Sequence, residues 1–250
     1  MPTVFVHGVP ESAVIWNPIL DALEGLGHSD IVRLSPPGFG APLPGDFGAT
    51  VEDYRAWLIA ELERFSEPVD LVGHDFGGGH VIGVAIYRPD LIRSWVVDII
   101  GILDPDYEWH PFAQIWQKPV LGEAHLEALF SGSAKDRAPR LEPMGLTDKV
   151  AEDVAAAQGP DMARAILALY RSAPKSVLAR IHDDLPRAAA NRGLAILATE
   201  DLAVGSDAAR RRMAERAGAT VAVLEGQGHT WMLDNPLRSA QALSDFWAQP

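Results

Sequence analysis

One aspartate, Asp75, lies where a sharp strand-to-helix turn would display a nucleophile. The apolar run Val69–Val72 is followed by Gly73-His74-Asp75-Phe76-Gly77 and then by a helix-like segment. Small residues on both sides of the central position are typical of a nucleophile elbow, because the turn is strained and its neighbours pack closely. A carboxylate that attacks an alkyl carbon forms an ester, so the motif favours epoxides or organohalides over acyl esters as substrates. Taken alone, the pattern also fits a glycine-rich turn with a solvated aspartate.

Two later strand ends carry the partners that such a nucleophile needs. The fifth predicted strand runs into Glu200 and Asp201, and the sixth is followed shortly by His229. The chain order is therefore nucleophile, acid, histidine, with each residue just beyond the carboxyl end of a strand, where ligands bind in open α/β sheets. We expect Asp75, Asp201 and His229 to share one active site, with Glu200 as the alternative acid.

The first predicted strand ends at a possible oxyanion site. It is followed by His7-Gly8-Val9-Pro10, in which the glycine allows the backbone to approach a substrate. The backbone amides of Val9 and Phe76 could together bind an oxyanion. With a carboxylate nucleophile, this oxyanion forms on the ester carbonyl when water attacks it.

Short apolar runs alternate with helical patterns along most of the chain. This alternation predicts βαβ units and a parallel sheet that is covered on both faces. The predicted strands are Thr3–Val6, Asp30–Leu34, Val69–Val72, Trp95–Ile100, Leu194–Ala198 and Thr220–Leu224. The predicted helices between them are Ile15–Leu26, Val51–Phe65, Gly78–Tyr87, Ala208–Ala217 and Pro236–Trp247.

Residues 102–187 break this alternation. They contain aromatic residues among helical patterns and no predicted strand, which indicates a helical insertion between core segments 1–101 and 188–250. The predicted helices of the insertion are Gly122–Ser131, Thr147–Ala157, Asp161–Ser172 and Lys175–Ile181. Such an insertion can act as a lid that excludes water and supplies side chains to a cleft below it.

The bulk composition excludes several other functions. The chain has 250 residues, a formal net charge of −13 and no cysteine, which disfavours nucleic acid and anionic membranes as partners and excludes thiol chemistry. No apolar stretch approaches the ~20 residues of a membrane span, and the N-terminus lacks a signal-type segment. We expect a cytoplasmic monomer or homodimer that acts on a small molecule.

Four motifs identify a family resemblance. They are His7–Glu11, Ser35–Gly40, Gly73–Gly78 and Gly228-His229. With them the chain resembles the epoxide hydrolase and haloalkane dehalogenase branch of the α/β-hydrolase superfamily. The resemblance implies an α/β-hydrolase fold with a helical lid, Asp75 as nucleophile, and neither cofactor nor metal. Family members usually have two antiparallel strands before the first motif, so we expect a sheet of about six strands, all parallel. Some relatives place the acid near the end of the fourth strand, where Asp98 and Asp104 lie.

The resemblance also allows the chemistries of this branch to be compared. Haloalkane dehalogenases usually bind halide with a Trp after the nucleophile, where this chain has Phe76, and Val9 offers no side-chain donor either. Fluoroacetate dehalogenases carry an Arg after the nucleophile that holds the substrate carboxylate, and Phe76 offers no such charge. Trp109-His110 nevertheless resembles the halide-binding His-Trp pair of that group, in reverse order. Both subfamilies are therefore disfavoured.

Epoxide hydrolases commonly protonate the opening ring with two lid tyrosines. Leu167–Arg171 is similar to the segment that carries one of them, which makes Tyr170 the expected donor. The second tyrosine is missing near Trp116, and Tyr107 or His110 are the candidates to replace it. We assign substrate contacts to the following residues: His7, Trp109, His110 and Trp116.

The resulting expectation is an epoxide hydrolase that works through an alkyl ester on Asp75, with His229 and Asp201 activating water. The first alternative is a dehalogenase that uses the same ester. The second is a non-catalytic ligand-binding scaffold, which the complete set of nucleophile, acid and base disfavours.

Overall fold

Six parallel strands form one sheet in the computed structural model, which describes residues 2–249 except the side chain of Asp148. The order across the sheet is β2-β1-β3-β4-β5-β6. The strands are β1 (Thr3–Val6), β2 (Ile31–Leu34), β3 (Val69–Gly73), β4 (Ile92–Val97), β5 (Arg192–Ala198) and β6 (Ala219–Leu224). The predicted all-parallel sheet of six strands is confirmed.

The strand order determines where a ligand can bind. The chain passes from β1 outward to β2 and then returns across β1 to β3, so the direction of winding reverses between β1 and β3. Ligands of open α/β sheets bind outside the carboxyl ends of the strands at such a reversal. His7–Val9 follows β1 and Asp75 follows β3, which brings both motifs to this crevice.

Apolar side chains cover both faces of the sheet. Because side chains alternate along a strand, Val4, Val6 and Leu71 pack in one apolar layer, whereas Phe5 and Val72 pack in the other. All five are completely buried. Burial of each such side chain contributes about 1.5–3 kcal/mol, so the two layers hold the central strands rigidly.

Twelve α-helices surround the sheet within the described part of the chain. They are α1 (Asn17–Gly25), α2 (Val51–Leu62), α3 (Phe76–Tyr87), α4 (Pro111–Trp116), α5 (Leu121–Leu129), α6 (Ala134–Arg137), α7 (Asp148–Ala157), α8 (Pro160–Arg171), α9 (Lys175–Asp184), α10 (Asp207–Arg216), α11 (Trp231–Asp234) and α12 (Pro236–Ala248). None of those between residues 2 and 249 is long and apolar enough to cross a membrane.

Two parts of the predicted secondary structure were wrong. The fourth strand ends at Val97 rather than Ile100, since Asp98 turns away to bond with the elbow and Ile100–Leu103 forms a 3-10 turn. Helices α4, α6 and α11 were missed because they span only 6, 4 and 4 residues, too few for a periodic pattern.

The amphipathic helix α8 brings Tyr170 inward. Its buried residues recur at helical spacing: Met162, Ala165, Ile166, Leu169 and Tyr170. Helices α4–α9 all lie between β4 and β5, and no strand occurs among residues 104–191, which lie within the described chain. The single apolar face of α8 therefore places the predicted lid tyrosine in the interior.

Candidate active site

Asp75 occupies a strained turn between β3 and α3. Its φ of 48° and ψ of −130° lie in a region that non-glycine residues adopt at a cost of about 1–3 kcal/mol. A Cβ on Gly77 would collide with the carbonyl oxygen of Val6, and one on Gly73 would lie 2.6 Å from the carbonyl oxygen of Gly77. These close approaches explain why glycines flank Asp75.

Two backbone amides and an imidazole surround the Asp75 carboxylate. The Val9 amide donates to Oδ1 at 3.1 Å, and His229 Nε2 lies 3.7 Å from Oδ2. A Cβ at Gly8 would collide with the Asp75 side chain, so only glycine allows this approach. Burial raises the pKa of Asp75, whereas the His229 imidazole and the Phe76 amide each lower it. The predicted oxyanion amides thus already contact the carboxylate.

His229 is oriented by Asp201. Its Nδ1 lies 2.9 Å from Asp201 Oδ2, while the Ala203 amide donates to Asp201 Oδ1 at 2.9 Å. Burial alone would lower the pKa of His229, but the Asp201 carboxylate outweighs burial and raises the pKa to about 9. Glu200 is exposed, in contrast to the buried Asp201. The geometry therefore brings Asp201, and not Glu200, to the histidine.

A second buried charge cluster lies directly beneath this site. His74 bonds through Nδ1 to Asp98 Oδ2 and through Nε2 to Glu11 Oε1, the latter at 3.1 Å. Burial disfavours an imidazolium, but the two carboxylates raise the pKa of His74 well above its usual value. Burial also raises the pKa of Glu11, yet His74 outweighs it and lowers that pKa to about 2. His74 is thus a buried cation between two anions, with its ring centroid 4.7 Å from that of His229.

This cluster ties together the loops that carry the site. Asp98 Oδ1 accepts the Asp75 amide at 2.9 Å, and Asp98 Oδ2 accepts the Trp231 indole N–H at 2.6 Å. Glu11 Oε2 accepts the Gly8 amide at 3.1 Å. The family resemblance implies for Asp98 only the role of an alternative triad acid. Its position after β4 was the available signal, but the side chains that it bonds become neighbours only in the folded chain.

Tyr170, near the end of α8, lies next to the elbow. It is buried, and its ring packs edge-on against Phe76 and Trp116, with centroids 4.8 and 4.9 Å apart. Burial, reinforced by the negative charge of Asp75, raises the pKa of Tyr170 well above its usual value. The phenol therefore remains protonated at neutral pH.

His110 holds this phenol in a defined orientation. The Ala113 amide donates to His110 Nδ1 at 3.3 Å, so in the neutral ring the proton is on Nε2. Burial lowers the pKa of His110 to about 4, which keeps the ring neutral. Its Nε2 lies 3.3 Å from the Tyr170 hydroxyl and donates to that oxygen. The proton of Tyr170 is consequently not used by His110 and can be donated elsewhere.

The other predicted contact residues lie in different environments. Trp109 stacks on Phe76 at 6.0 Å, and its buried indole N–H has no partner among the described residues. The Trp116 indole donates to His125 at 3.0 Å. The Tyr107 hydroxyl donates to the Ala203 carbonyl at 2.8 Å and is thereby occupied.

His7 is buried beside the elbow, and its Nδ1 lies 3.0 Å from the carbonyl oxygen of Gly8. Burial lowers the pKa of His7, so the ring is neutral. Its Nε2 has no partner within residues 2–249. No group of three His, Asp or Glu side chains in that range is arranged to hold a metal ion.

The fold and these motifs agree with the comparison to known proteins. The model of the alpha/beta hydrolase family matches residues 3–242. Since the match covers nearly the whole chain, the protein belongs to the alpha/beta hydrolase family.

Individual relatives are more distant. An (E)-2-((N-methylformamido)methylene)succinate hydrolase from Acinetobacter baylyi is 31% identical over 97 residues, which are 38% of this chain and 36% of the relative. Bifunctional epoxide hydrolase 2 from Rattus norvegicus is 26% identical over 157 residues, 56% of this chain and 28% of the relative. The chain thus spans about a third of the length of these curated relatives.

Among solved structures, the haloalkane dehalogenase DbeA from Bradyrhizobium elkani superimposes with a TM-score of 0.73 at 24% identity. The superposition covers 99% of this chain and 91% of the dehalogenase. At this identity the similarity concerns the fold.

Proposed function

We propose that this hydrolase opens epoxides to diols through an alkyl ester on Asp75. The observation that carries the proposal is the Tyr170 phenol, which is protonated, buried against Phe76 and free to donate its proton. Epoxide opening creates a strongly basic alkoxide, which needs a proton donor at the leaving oxygen. A departing halide has no such need.

In the first step, an oxygen of Asp75 attacks an epoxide carbon from the side opposite the ring oxygen. The carbon–oxygen bond of the ring breaks as the carbon–carboxylate bond forms. Tyr170 gives its proton to the leaving oxygen, which yields an alkyl-enzyme ester with a neutral hydroxyl. The separation of 3.7 Å between His229 Nε2 and Asp75 Oδ2 leaves the carboxylate able to move toward a substrate.

In the second step, His229 removes a proton from water as the water attacks the ester carbonyl of Asp75. The amides of Val9 and Phe76 hold the resulting oxyanion. Collapse of the intermediate breaks the ester bond, releases the diol and restores the carboxylate. The resting imidazolium of His229 gives up its proton when the ester removes the charge of Asp75, and this proton restores the Tyr170 phenol. His229 is then neutral and regains a proton from the attacking water, while the leaving alkoxide takes the proton of the newly formed Asp75 carboxyl group.

A dehalogenase is the second candidate, and Trp109 is the observation that favours it. Its buried indole N–H has no partner among the described residues and lies over Phe76, next to the nucleophile. A desolvated N–H donor could hold a departing halide. The same donor could instead bind the epoxide oxygen together with Tyr170.

The test is Tyr170→Phe, which removes only the hydroxyl. We expect the single-turnover rate of ester formation on an epoxide to fall by a factor on the order of 10²–10⁴. The rate on a haloalkane of similar size should change little and serves as the control. An undiminished epoxide rate would remove Tyr170 from the mechanism. Halide release from haloalkanes, with no diol formed from any epoxide of a panel, would favour the dehalogenase.

A further inference from the structure

A small apolar cavity lies beside the elbow, on the side of Phe76. Its volume is about 30 Å³, close to the share of liquid volume that one water molecule occupies. The lining is almost wholly apolar and combines core and lid residues, including Phe76, Gly79, Ile100, Leu103, Ala173 and Leu178. The one polar ring in the lining, His80, is neutral, since burial lowers its pKa to about 3.

Gly79 leaves this cavity open, although no close neighbouring atom requires a glycine at this position. It is the third of three consecutive glycines at the start of α3. A Cβ on Gly77 would collide with backbone atoms, and one on Gly78 would lie 2.9 Å from Ile99 Cγ2. At Gly79 the only neighbour would be Phe76 Cδ1, at an ordinary 4.0 Å. Glycine stabilises a helix less than alanine does, so the missing side chain has a cost without a local packing benefit.

Two lining residues adjoin the catalytic groups along the chain. Phe76 forms one wall and directly follows the nucleophile, while Ala173 lies shortly after Tyr170 in the lid. The Phe76 ring, which also packs 4.8 Å from the Tyr170 ring, therefore separates the cavity from the catalytic side chains, and an arm that passes this ring would enter the cavity. An apolar cavity favours an apolar group, because burial of polar atoms without partners is costly.

We propose that this cavity binds the alkyl arm of the substrate and that Gly79 keeps it open. The inference rests on the proposed epoxide hydrolysis and defines its substrate class: terminal epoxides with a short, unbranched alkyl arm. Its volume matches about one methyl-sized group.

The experiment compares Gly79→Leu and the smaller Gly79→Ala on ethylene, propylene and butylene oxide. The matched control is Gly25→Ala, another helical glycine, whose added Cβ meets nothing within 4 Å. In the unmodified protein, kcat/KM should rise by about fourfold for the first alkyl carbon that the cavity buries. Gly79→Leu should abolish this rise and leave ethylene oxide turnover within about twofold. Gly79→Ala should reduce the rise, and Gly25→Ala should leave it intact.

A preserved chain-length preference in Gly79→Leu would overturn the proposal. So would an equal loss on all three epoxides, because it would mean that Gly79 acts through the elbow backbone. If Gly79→Leu does not fold, the result with Gly79→Ala decides between these outcomes.

A binding measurement separates this inference from the proposed function. Titration with 1-propanol, with methanol as reference, should shift the methyl NMR signals of Ile100 and Leu178, and Gly79→Leu should remove the shift. Such shifts without turnover of any epoxide would support the cavity and overturn the epoxide hydrolase. Epoxide turnover combined with methyl shifts that persist in Gly79→Leu would overturn only the proposed role of the cavity.

Discussion

The charge of Asp75 controls the basicity of His229 at the scale of single residues. In the free protein the carboxylate lies 3.7 Å from His229 Nε2 and helps to keep the imidazole protonated. Formation of an ester removes this negative charge, so the pKa of His229 then falls. The imidazole therefore becomes a better base when the ester has to be hydrolysed.

Replacement of His229 by Gln should stop the reaction after its first step. Asp75 can still attack, but no base remains to activate water, so the ester accumulates. Intact-protein mass spectrometry of His229→Gln with an epoxide should show the substrate mass added, on the peptide that contains Asp75. An adduct on another residue, or full turnover by the variant, would contradict the assignment of both residues.

Asp201→Asn should lower the pKa of His229 below about 9, because its carboxylate is the main group that stabilises the imidazolium. Turnover should fall by a factor on the order of 10²–10⁴. NMR titration of the imidazole and steady-state kinetics measure the two effects. Glu200→Gln is the matched control, since its side chain is exposed, and should change both little. Reversed effects of the two variants would make Glu200 the acid.

At the scale of elements, the elbow depends on Asp98 at the end of β4. The Asp98 carboxylate bonds the Asp75 amide, the His74 ring and the Trp231 indole, and so joins the ends of β3 and β4 to the start of α11. The start of α3 also contributes, because the partial positive charge of a helix N-terminus favours an anion at Asp75. The strained turn thus has support from several elements.

Asp98→Asn should therefore destabilise the fold as well as the site. The substitution removes one of the two carboxylates that pair with the buried His74 ring. Loss of one partner costs about 3–5 kcal/mol in comparable buried pairs. Chemical denaturation measures the loss in free energy of unfolding. The control is Asp90→Asn, which breaks an exposed pair with Arg88 and should have little effect. Equal stability of the two variants would show that the cluster around His74 is not a paired charge.

At the scale of the whole molecule, the net charge of −13 bears on the substrate class. A strongly negative protein repels anionic substrates over distances of about a Debye length, and salt screens this repulsion. Neutral epoxides are unaffected by this repulsion. The overall charge is therefore more compatible with neutral substrates than with haloacids.

This difference can be measured through ionic strength. The kcat/KM for a neutral epoxide should be nearly independent of added salt, whereas any turnover of chloroacetate should increase with salt. A potassium chloride series at constant pH provides the test. Haloacid turnover that decreases with salt would reveal a positive potential at the site and would favour the dehalogenase alternative.

The sequence by itself determined the sheet and the order of its strands along the chain. Apolar runs of strand length, separated by helical patterns, predicted six parallel strands, and the fold confirms them. The glycines around Asp75 predicted the sharp turn, since the need for space beside a strained residue is visible locally. Such features depend on neighbours in the chain, which is why pattern and propensity reveal them.

Only the tertiary structure decided which side chains meet. The bond from His229 to Asp201 rather than to Glu200, the placement of His74 between Glu11 and Asp98, and the contact of His110 with Tyr170 all join distant segments. Their bonding depends on packing between elements and on burial, which also raises or lowers their pKa values. No local period in the sequence carries that information, because these contacts exist only after the strands and the helices between β4 and β5 have packed together.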